Sequence, residues 1–353
     1  MELKLPDMSP ILDWYRANAR KLPWRRTRDP YRIWVSEIML QQTRVEAVLP
    51  YYHRFLARLP DIAALADCPE GELMKLWEGL GYYSRVRNMQ KAAKGIMSQY
   101  GGAFPQNFEQ ILSLPGIGEY TAGAIASFAF DLPYPAVDGN VLRVAARLLA
   151  FEEDVLAPAS KKALTAAVWA AQSPERAATY NQAVIELGAT VCLPNGTPKC
   201  EVCPLAGVCR AREQGLQTVL PVRKKPTPRK VEERTVLILR EGDRVALRQR
   251  PSSGLLASLF EPFSLKGRLS AGEVMEKLTG AGLEILRVGD LGAAKHIFTH
   301  VEWQMQGYEV ILCEKSAETG LKKLDQGLFF VRRYEIDEGY AVPSAYSAYR
   351  PFM

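Results

Sequence analysis

No stretch of this 353-residue chain approaches the ~20 consecutive apolar residues that a helix needs to cross a bilayer. Its opening, MELKLPDMSP, contains no signal-peptide core. Internal repeats and low-complexity tracts are missing too, which argues against a stacked array or a long disordered arm. These absences predict a cytoplasmic protein without a membrane partner. Cysteine is sparse at six residues, but four of them, Cys192, Cys200, Cys203 and Cys209, fall within eighteen positions. In a cytosolic chain such crowding points to a metal rather than to disulfides.

What is present is the composition of an ordinary globular protein, 48% hydrophobic and 24% charged, long enough for two cores. Residues 1–230 carry 29 Lys and Arg against 22 Asp and Glu, whereas residues 231–353 carry 16 against 17. The basic surplus therefore belongs to the first part. Its densest run, RANARKLPWRRTRDPYR, interleaves seven cations with Trp24 and Tyr31. That mixture suits a nucleic-acid backbone and its bases, and equally a solvated helix face.

From Ile11 to about Gly215 apolar residues recur at three- and four-residue spacing, as in GELMKLWEGLGYYSRVRNMQKAAKGIMSQY, and the pattern breaks at Pro or Gly. We read residues 1–219 as an all-α domain and the charged, proline-bearing residues 220–234 as a linker. Beyond it the period changes to two. TVLILR, the turn EGD and RVALRQR predict a hairpin, VEWQMQGYEVILCE predicts a strand, and SAGEVMEKLTGAG predicts a helix. Residues 235–353 are therefore expected to form an α+β domain.

The cysteines are spaced C-x7-C-x2-C-x5-C, and a C-x2-C pair brings two thiolates to one metal centre. Spacing alone leaves zinc and an iron–sulfur cluster open. Cys68 and Cys313 lie far away in sequence and read as ordinary packing residues. In LPGIGEYTAGAIASFAF, Gly116 and Gly118 open an apolar helix. A dinucleotide fold would require a preceding strand and a third glycine. The preceding NFEQILSL is helical, and residue 121 is Thr, so the expected unit is helix–hairpin–helix over 108–130. Such a turn aims backbone N–H groups at an anion, and beside a basic segment that anion is expected to be a DNA phosphate.

Two carboxylates stand out. Glu37 shares a helical face with Ile33 and Trp34, in a helix that starts at Asp29-Pro30. Burial among them raises a carboxyl pKa, as a general acid needs, whereas a place at the edge of that face would leave Glu37 in water. Asp138 directly precedes an apolar helix. As an N-cap it is expected to stay ionised. One acid and one anion is the pairing that breaks glycosidic bonds.

EIMLQQT, GLGYYSRVRN, LPGIGEYTAGAI, VDGNVLRV and the cysteine cluster together resemble the helix-hairpin-helix DNA glycosylases, most closely the MutY-type adenine glycosylases. The likeness continues into RPSSGLLASLFEPF and KHIFTHVEW of the second domain. The resemblance implies a base-excision repair enzyme, acting as a monomer, that removes adenine mispaired with 8-oxoguanine or guanine in duplex DNA. It also selects a 4Fe-4S cluster, held by Cys192, Cys200, Cys203 and Cys209 in the loop 192–209. It implies Glu37 as the acid that protonates adenine at N7, Asp138 as the carboxylate that stabilises the sugar cation, and Asn140 as its polar partner. Gln42 matches a residue that enters the duplex, and Tyr82 one beside the separated bases. Trp24, Arg25 and Gln182 are candidates for the adenine pocket.

Relatives that also cut the backbone carry lysine where this chain has Tyr120, because a Schiff base needs an amine. A phenol implies base removal only. The second domain resembles the Nudix fold but lacks the Arg-Glu and Glu-Glu pairs of the pyrophosphatases. Phe298, Thr299 and His300 match the loop that usually reads Phe-Ser-His and senses 8-oxoguanine. One departure is the first cysteine loop, seven residues long where the family usually has six, and a turn at Asn195-Gly196 can absorb the extra residue. The rival readings are a bifunctional glycosylase/lyase and a non-catalytic DNA-binding protein with a structural metal.

Overall fold

The computed structural model describes residues 3–172, 174–224 and 228–353, and divides the chain into two units, Met1–Asp67 with Arg87–Pro226 and Cys68–Val86 with Thr227–Met353. The first unit is helical, as expected. Its Pro30–Leu40 helix starts where Asp29 accepts the Tyr31 N–H at 2.9 Å, with Pro30 supplying the preset first turn. Every residue from Ile33 to Met39 is buried, so this helix lies inside the unit instead of presenting a wet face. It packs on the Glu119–Phe130 helix, whose run of Ala, Gly and Ser permits close approach.

Phe108–Ser113, a turn and Glu119–Phe130 form the helix–hairpin–helix. Asn107 caps the first helix by accepting the Gln110 N–H at 3.1 Å. Gly116 takes φ +79°, and a Cβ there would stand 2.6 Å from the Asn88 Cβ, so both backbone angle and space demand glycine. Gly118 is the N-cap of the second helix, with extended backbone. Both glycines are exposed, whereas Ile117 between them is buried. The main core joins Pro10–Asn18, Gly139–Leu149, Pro158–Ala170 and Ala177–Thr190 through Ile11, Val141, Val144, Leu148, Leu164 and Leu187.

The second unit is built on six strands, β1 (Lys230–Glu241), β2 (Arg244–Gln249), β3 (Phe260–Lys266), β4 (Ile285–Ile297), β5 (Val301–Leu312) and β6 (Leu328–Arg332), in the order β4-β5-β1-β3-β2-β6. β1 and β5 run parallel, in register from Lys230↔Val301 to Arg240↔Ile311, and the other neighbours are antiparallel. Successive β1 residues serve opposite faces. Val236 and Ile238 pack with Ile336, Tyr346 and Tyr349, whereas Leu237 and Leu239 pack with Val274, Leu278 and Leu321. The sheet is thus covered on both sides, and the expected hairpin, strand and helix are all present. The helix is Ala271–Gly280, started by a capping box between Ser270 and Glu273.

Two boundaries differ from the sequence reading. Residues 220–234 are linker only in part, because Leu220 is buried, Val222 O accepts the Val155 N–H at 3.2 Å, and β1 begins at Lys230. Residues 225–227 of that stretch lie outside the described residues. The segment Cys68–Val86, expected within the helical domain of residues 1–219, belongs to the sheet unit. There the Lys75 ammonium donates to the carbonyls of Ile336 (3.4 Å) and Tyr340 (3.3 Å), and the Glu78 carboxylate accepts the Val342 N–H at 3.1 Å.

Candidate active site

The helical unit contains a cavity of about 530 Å³, walled by the Pro30–Leu40 helix, the loop that follows it, the turn at Pro23–Arg25, Tyr120 and the start of the Gly139–Leu149 helix. Glu37 and Asp138 both line it, so the two carboxylates singled out from 101 residues apart in sequence meet at one site. Tyr120, Asn140, Gln42, Trp24, Arg25 and Gln182 line it as well.

Glu37 is 5% exposed, and burial pushes its carboxyl up to about 7. The Tyr120 hydroxyl donates to Glu37 Oε2 at 2.6 Å and pulls in the opposite direction, while the negative charge of Asp138 adds to the rise. Tyr120 itself is driven well above its ordinary range by burial and by the two carboxylates, so it stays a neutral donor. Burial also raises Asp138, but several groups oppose it: the Val141 N–H at 2.9 Å, the Asn140 amide Nδ2 at 2.6 Å, the Asn140 N–H at 2.8 Å and the charge of Arg143. Burial wins, so the carboxyl lies above its ordinary value instead of being held firmly ionised as the sequence reading expects, and the helix start that Asp138 caps occupies its lone pairs.

The Asn140 amide is fixed in turn, because its Oδ1 accepts from Arg143 Nη2 at 2.8 Å. Arg143 also donates to Gly188 O at 2.7 Å and to Cys192 O at 2.7 Å. Gly188 is required for this meeting, since a Cβ there would lie 2.6 Å from the Asn140 Cβ. One turn further on, Arg147 donates to the Cys192 sulfur at 3.1 Å and to Leu193 O at 2.9 Å. One helix thus links the Asp138 end of the cavity to the cysteine loop.

Behind Arg20 and Arg25, which line the cavity, sequence reasoning missed Glu186. It is fully buried and takes Arg20 through two side-chain bonds of 2.8 and 2.7 Å, with Arg25 at 2.7 Å. Burial alone would raise this carboxyl, but the two guanidinium groups outweigh it and hold it at about 2. The available signal was a lone acid in the apolar run AVIELGA, four residues after Gln182 and so on the same helical face. Gln182 accepts from the Tyr15 hydroxyl at 2.6 Å.

The four clustered cysteines line one small cavity of about 30 Å³ beside Arg147 and Arg212. The thiol of Cys203 is pushed up by burial to about 11, so thiolates there require a metal's positive charge or equivalent donors. The first cysteine loop turns in the open where Gly196 takes φ +71°, and the Lys199 N–H closes it on Val191 O at 3.0 Å. Among the described residues no three His, Cys, Asp or Glu side chains gather as they would around a single ion.

The remaining candidates lie elsewhere. Gly116 and Gly118 sit on the exposed hairpin, outside the cavity lining. In the sheet unit, Tyr82 is 46% exposed at φ +47°, and its hydroxyl lies 3.0 Å from the Thr299 Oγ1. Phe298 packs on Trp303, centroids 4.8 Å apart, which leaves Thr299 and His300 exposed at the tip between β4 and β5. Gln42, in the lining of the helical unit's cavity, also has positive φ, +60°. Strained non-glycine backbone of this kind collects at functional sites. In the helix Ala271–Gly280, Glu273 is occupied by Ser270, whose N–H and hydroxyl both reach it at 2.8 Å.

Comparison with known proteins agrees with this geometry. The family model for HhH-GPD superfamily base excision DNA repair proteins matches residues 35–171, and that for the NUDIX domain matches residues 234–349. The adenine DNA glycosylase of Mus musculus is 34% identical over 88% of this chain and 72% of its own length. That of Buchnera aphidicola subsp. Baizongia pistaciae is 34% identical over 82% of each. Among solved structures, a thermostable thymine-DNA glycosylase aligns with TM-score 0.53 and 29% identity over 58% of this chain and 94% of its own. An endonuclease III in complex with DNA shares the fold, with TM-score 0.51, over 60% of this chain and 95% of its own at 23% identity. The paired carboxyls over a helix–hairpin–helix, and relatives that match across most of both chains, lead to one conclusion: the chain belongs to the adenine DNA glycosylase family of base-excision repair enzymes.

Proposed function

We propose that this glycosylase hydrolyses the bond between deoxyribose and adenine where adenine is mispaired with 8-oxoguanine, or with guanine, in duplex DNA, and that it leaves an abasic site. The observation that carries the reading is Glu37, an acid poised at about 7 in a cavity whose other carboxyl is Asp138. A stacked base cannot be reached inside the helix, so the adenine is extruded into this cavity. Protonated Glu37 gives its proton to N7, and the base departs neutral. Asp138, oriented by Asn140 and Val141, stabilises the cationic sugar until water adds to it. Tyr120 occupies the place of an amine nucleophile and cannot form an imine, so the reaction stops at base loss.

The hairpin amides at Gly116–Gly118 hold the DNA backbone. Gln42 enters the duplex, Tyr82 lies beside the separated bases, and the Phe298–Thr299–His300 tip reads 8-oxoguanine through the Thr299 hydroxyl. Cys192, Cys200, Cys203 and Cys209 hold a 4Fe-4S cluster, a group wider than one ion and suited to four thiols ranged around a cavity. The cluster supplies structural order to its loop. We place the enzyme in the cytoplasm, at the nucleoid if bacterial, acting as a monomer.

The test is base release from duplexes with adenine opposite 8-oxoguanine, followed by alkali to cut abasic sites. Asp138→Asn is expected to lower single-turnover cleavage by about a hundredfold or more. Unchanged activity in that variant would remove the proposed mechanism, and an inert wild type would favour a non-catalytic binder. Borohydride trapping of a protein–DNA adduct with efficient nicking would establish the lyase instead. Broad visible absorption of the purified protein distinguishes iron–sulfur from zinc.

A further inference from the structure

Tyr15, half-buried on the Pro10–Asn18 helix, is not among the residues that line the active-site cavity, and the mechanism assigns it nothing. It nevertheless reaches two residues that do line it. Its hydroxyl donates to Gln182 Oε1 at 2.6 Å, and the Arg25 guanidinium lies over its ring, 5.6 Å from the centroid. Burial lifts the phenol above its ordinary value, so near neutrality it is an uncharged donor.

These contacts decide what the lining offers a base. A glutamine amide carries an acceptor at one end and two donors at the other. With Gln182 Oε1 bonded to Tyr15, the Nε2 donors are the end left for a ligand. Arg20 and Arg25 line the cavity too, and their guanidinium groups can only donate. Each gives Nη2 to Glu186 Oε2 at 2.7 Å, and Arg25 Nη1 reaches Arg20 O at 3.2 Å, so both are held in place from behind. This part of the lining therefore presents N–H groups. Adenine meets them with acceptors, because N1 and N3 are bare and remain available once Glu37 has taken N7. Hypoxanthine and guanine carry a hydrogen on N1, which would be set against another N–H and leave both unpaired.

We propose that Tyr15 is a positioning residue for base selection: by holding the Gln182 amide oxygen and carrying Arg25 on its ring, it makes this part of the lining a donor surface that accepts adenine and rejects purines with a hydrogen on N1. Tyr15 acts through Gln182 and Arg25 and does not itself touch the base. The proposal rests on the adenine-release reading above.

The test is single-turnover base release by the full-length protein from duplexes with adenine or hypoxanthine opposite 8-oxoguanine. Wild type is expected to release adenine faster by roughly tenfold or more. Tyr15→Phe keeps the ring under Arg25 and frees the Gln182 amide to turn its oxygen toward the N1 hydrogen. Adenine release is then expected to fall while hypoxanthine release holds or rises, so that the ratio narrows by about fivefold or more. In a Gln182→Ala background the positioned group is gone, and Tyr15→Phe should change the ratio by less than about twofold. A merely structural hydroxyl would lower both rates together. An unchanged ratio in Tyr15→Phe therefore overturns the proposal, as does an undiminished effect of Tyr15→Phe in the Gln182→Ala background. Equal release of the two bases by wild type overturns it too. If Tyr15→Phe fails to fold, Gln182→Ala decides alone: a narrowed ratio supports the proposal, and the wild-type ratio overturns it. Absence of adenine release by wild type would instead overturn the glycosylase reading, which keeps the two failures distinct.

Discussion

Two buried glutamates serve one cavity, Glu37 in its lining and Glu186 behind the Arg20 and Arg25 that line it, yet their carboxyls lie on opposite sides of the ordinary range. Glu37, on the Pro30–Leu40 helix, is pushed up to about 7, whereas Glu186, on the Ala177–Thr190 helix, is pulled down to about 2. Burial acts on both in the same sense, so the difference comes from partners. Glu37 has one neutral donor, Tyr120, and a like charge, Asp138. Glu186 has two guanidinium groups. Glu37 thus stores a proton near neutrality, and Glu186 is an anion that holds Arg20 and Arg25 in the lining of the same site. The helix sequences supply only the acids. The cavity supplies the partners that decide which acid can donate.

The largest expected effect comes from deleting the proton store. Glu37→Gln keeps the shape and can still accept from Tyr120, but it has no proton to give, so base release is expected to fall by about 10²–10⁴-fold. In wild type the rate should decline as pH rises through about 7, because the acid form is lost there. Stability runs the same way. A folded-state value above the unfolded one means that the native state binds the proton more tightly, so the stability contribution is complete below the unfolded value and is lost as pH rises through about 7. Glu37→Gln is therefore expected to raise the melting temperature at pH 8 and to lose that advantage near pH 5. A variant equally stabilised at both pH values would show that Glu37 is not buried as an acid.

How far this contrast was legible in the sequence depends on how local its causes are. The apolar face around Glu37 and the capping position of Asp138 are local, and both were readable. So were the helix–hairpin–helix and the first hairpin of the sheet unit, where period and turn chemistry agree. Glu186 was missed because its partners Arg20 and Arg25 lie more than 160 residues away. The attachment of Cys68–Val86 to the sheet unit was missed for a related reason: an amphipathic helix shows the same spacing whichever body covers it. β4 was unreadable because ILRVGDLGAAKHI is an edge strand with glycines, irregular register and no clean alternation of burial.

The next effect acts on stability. Glu186→Ala leaves two guanidinium groups beside an emptied, buried site, and breaking such a cluster from one side costs about 3–5 kcal/mol. The full loss is expected at neutral pH in a denaturant melt. The native contribution should fade only in strong acid, since a folded value held at about 2 lies below the unfolded one, and stability is lost as pH falls through it. Glu186→Gln, which retains the volume and one acceptor, should lose less. If the two variants melt alike, packing and not charge sets the role of this residue.

The smallest expected effect is the most specific to the comparison. Tyr120→Phe removes only the hydroxyl that donates to Glu37 at 2.6 Å and keeps the ring. That bond is the larger of the two influences that oppose burial at Glu37, the other being the charge of Arg25, so its loss should raise the carboxyl further. The alkaline limb of the pH–rate profile should then move upward by roughly one unit, because a hydrogen bond to a charged group is worth about 1.5–3 kcal/mol and one unit is about 1.4 kcal/mol. The direction carries the argument, since loss of a merely structural hydroxyl would lower the rate at every pH and leave the limb in place. A limb that moved down would mean that the titrating acid is not the one Tyr120 touches, and the assignment would pass from Glu37 to another group in the cavity.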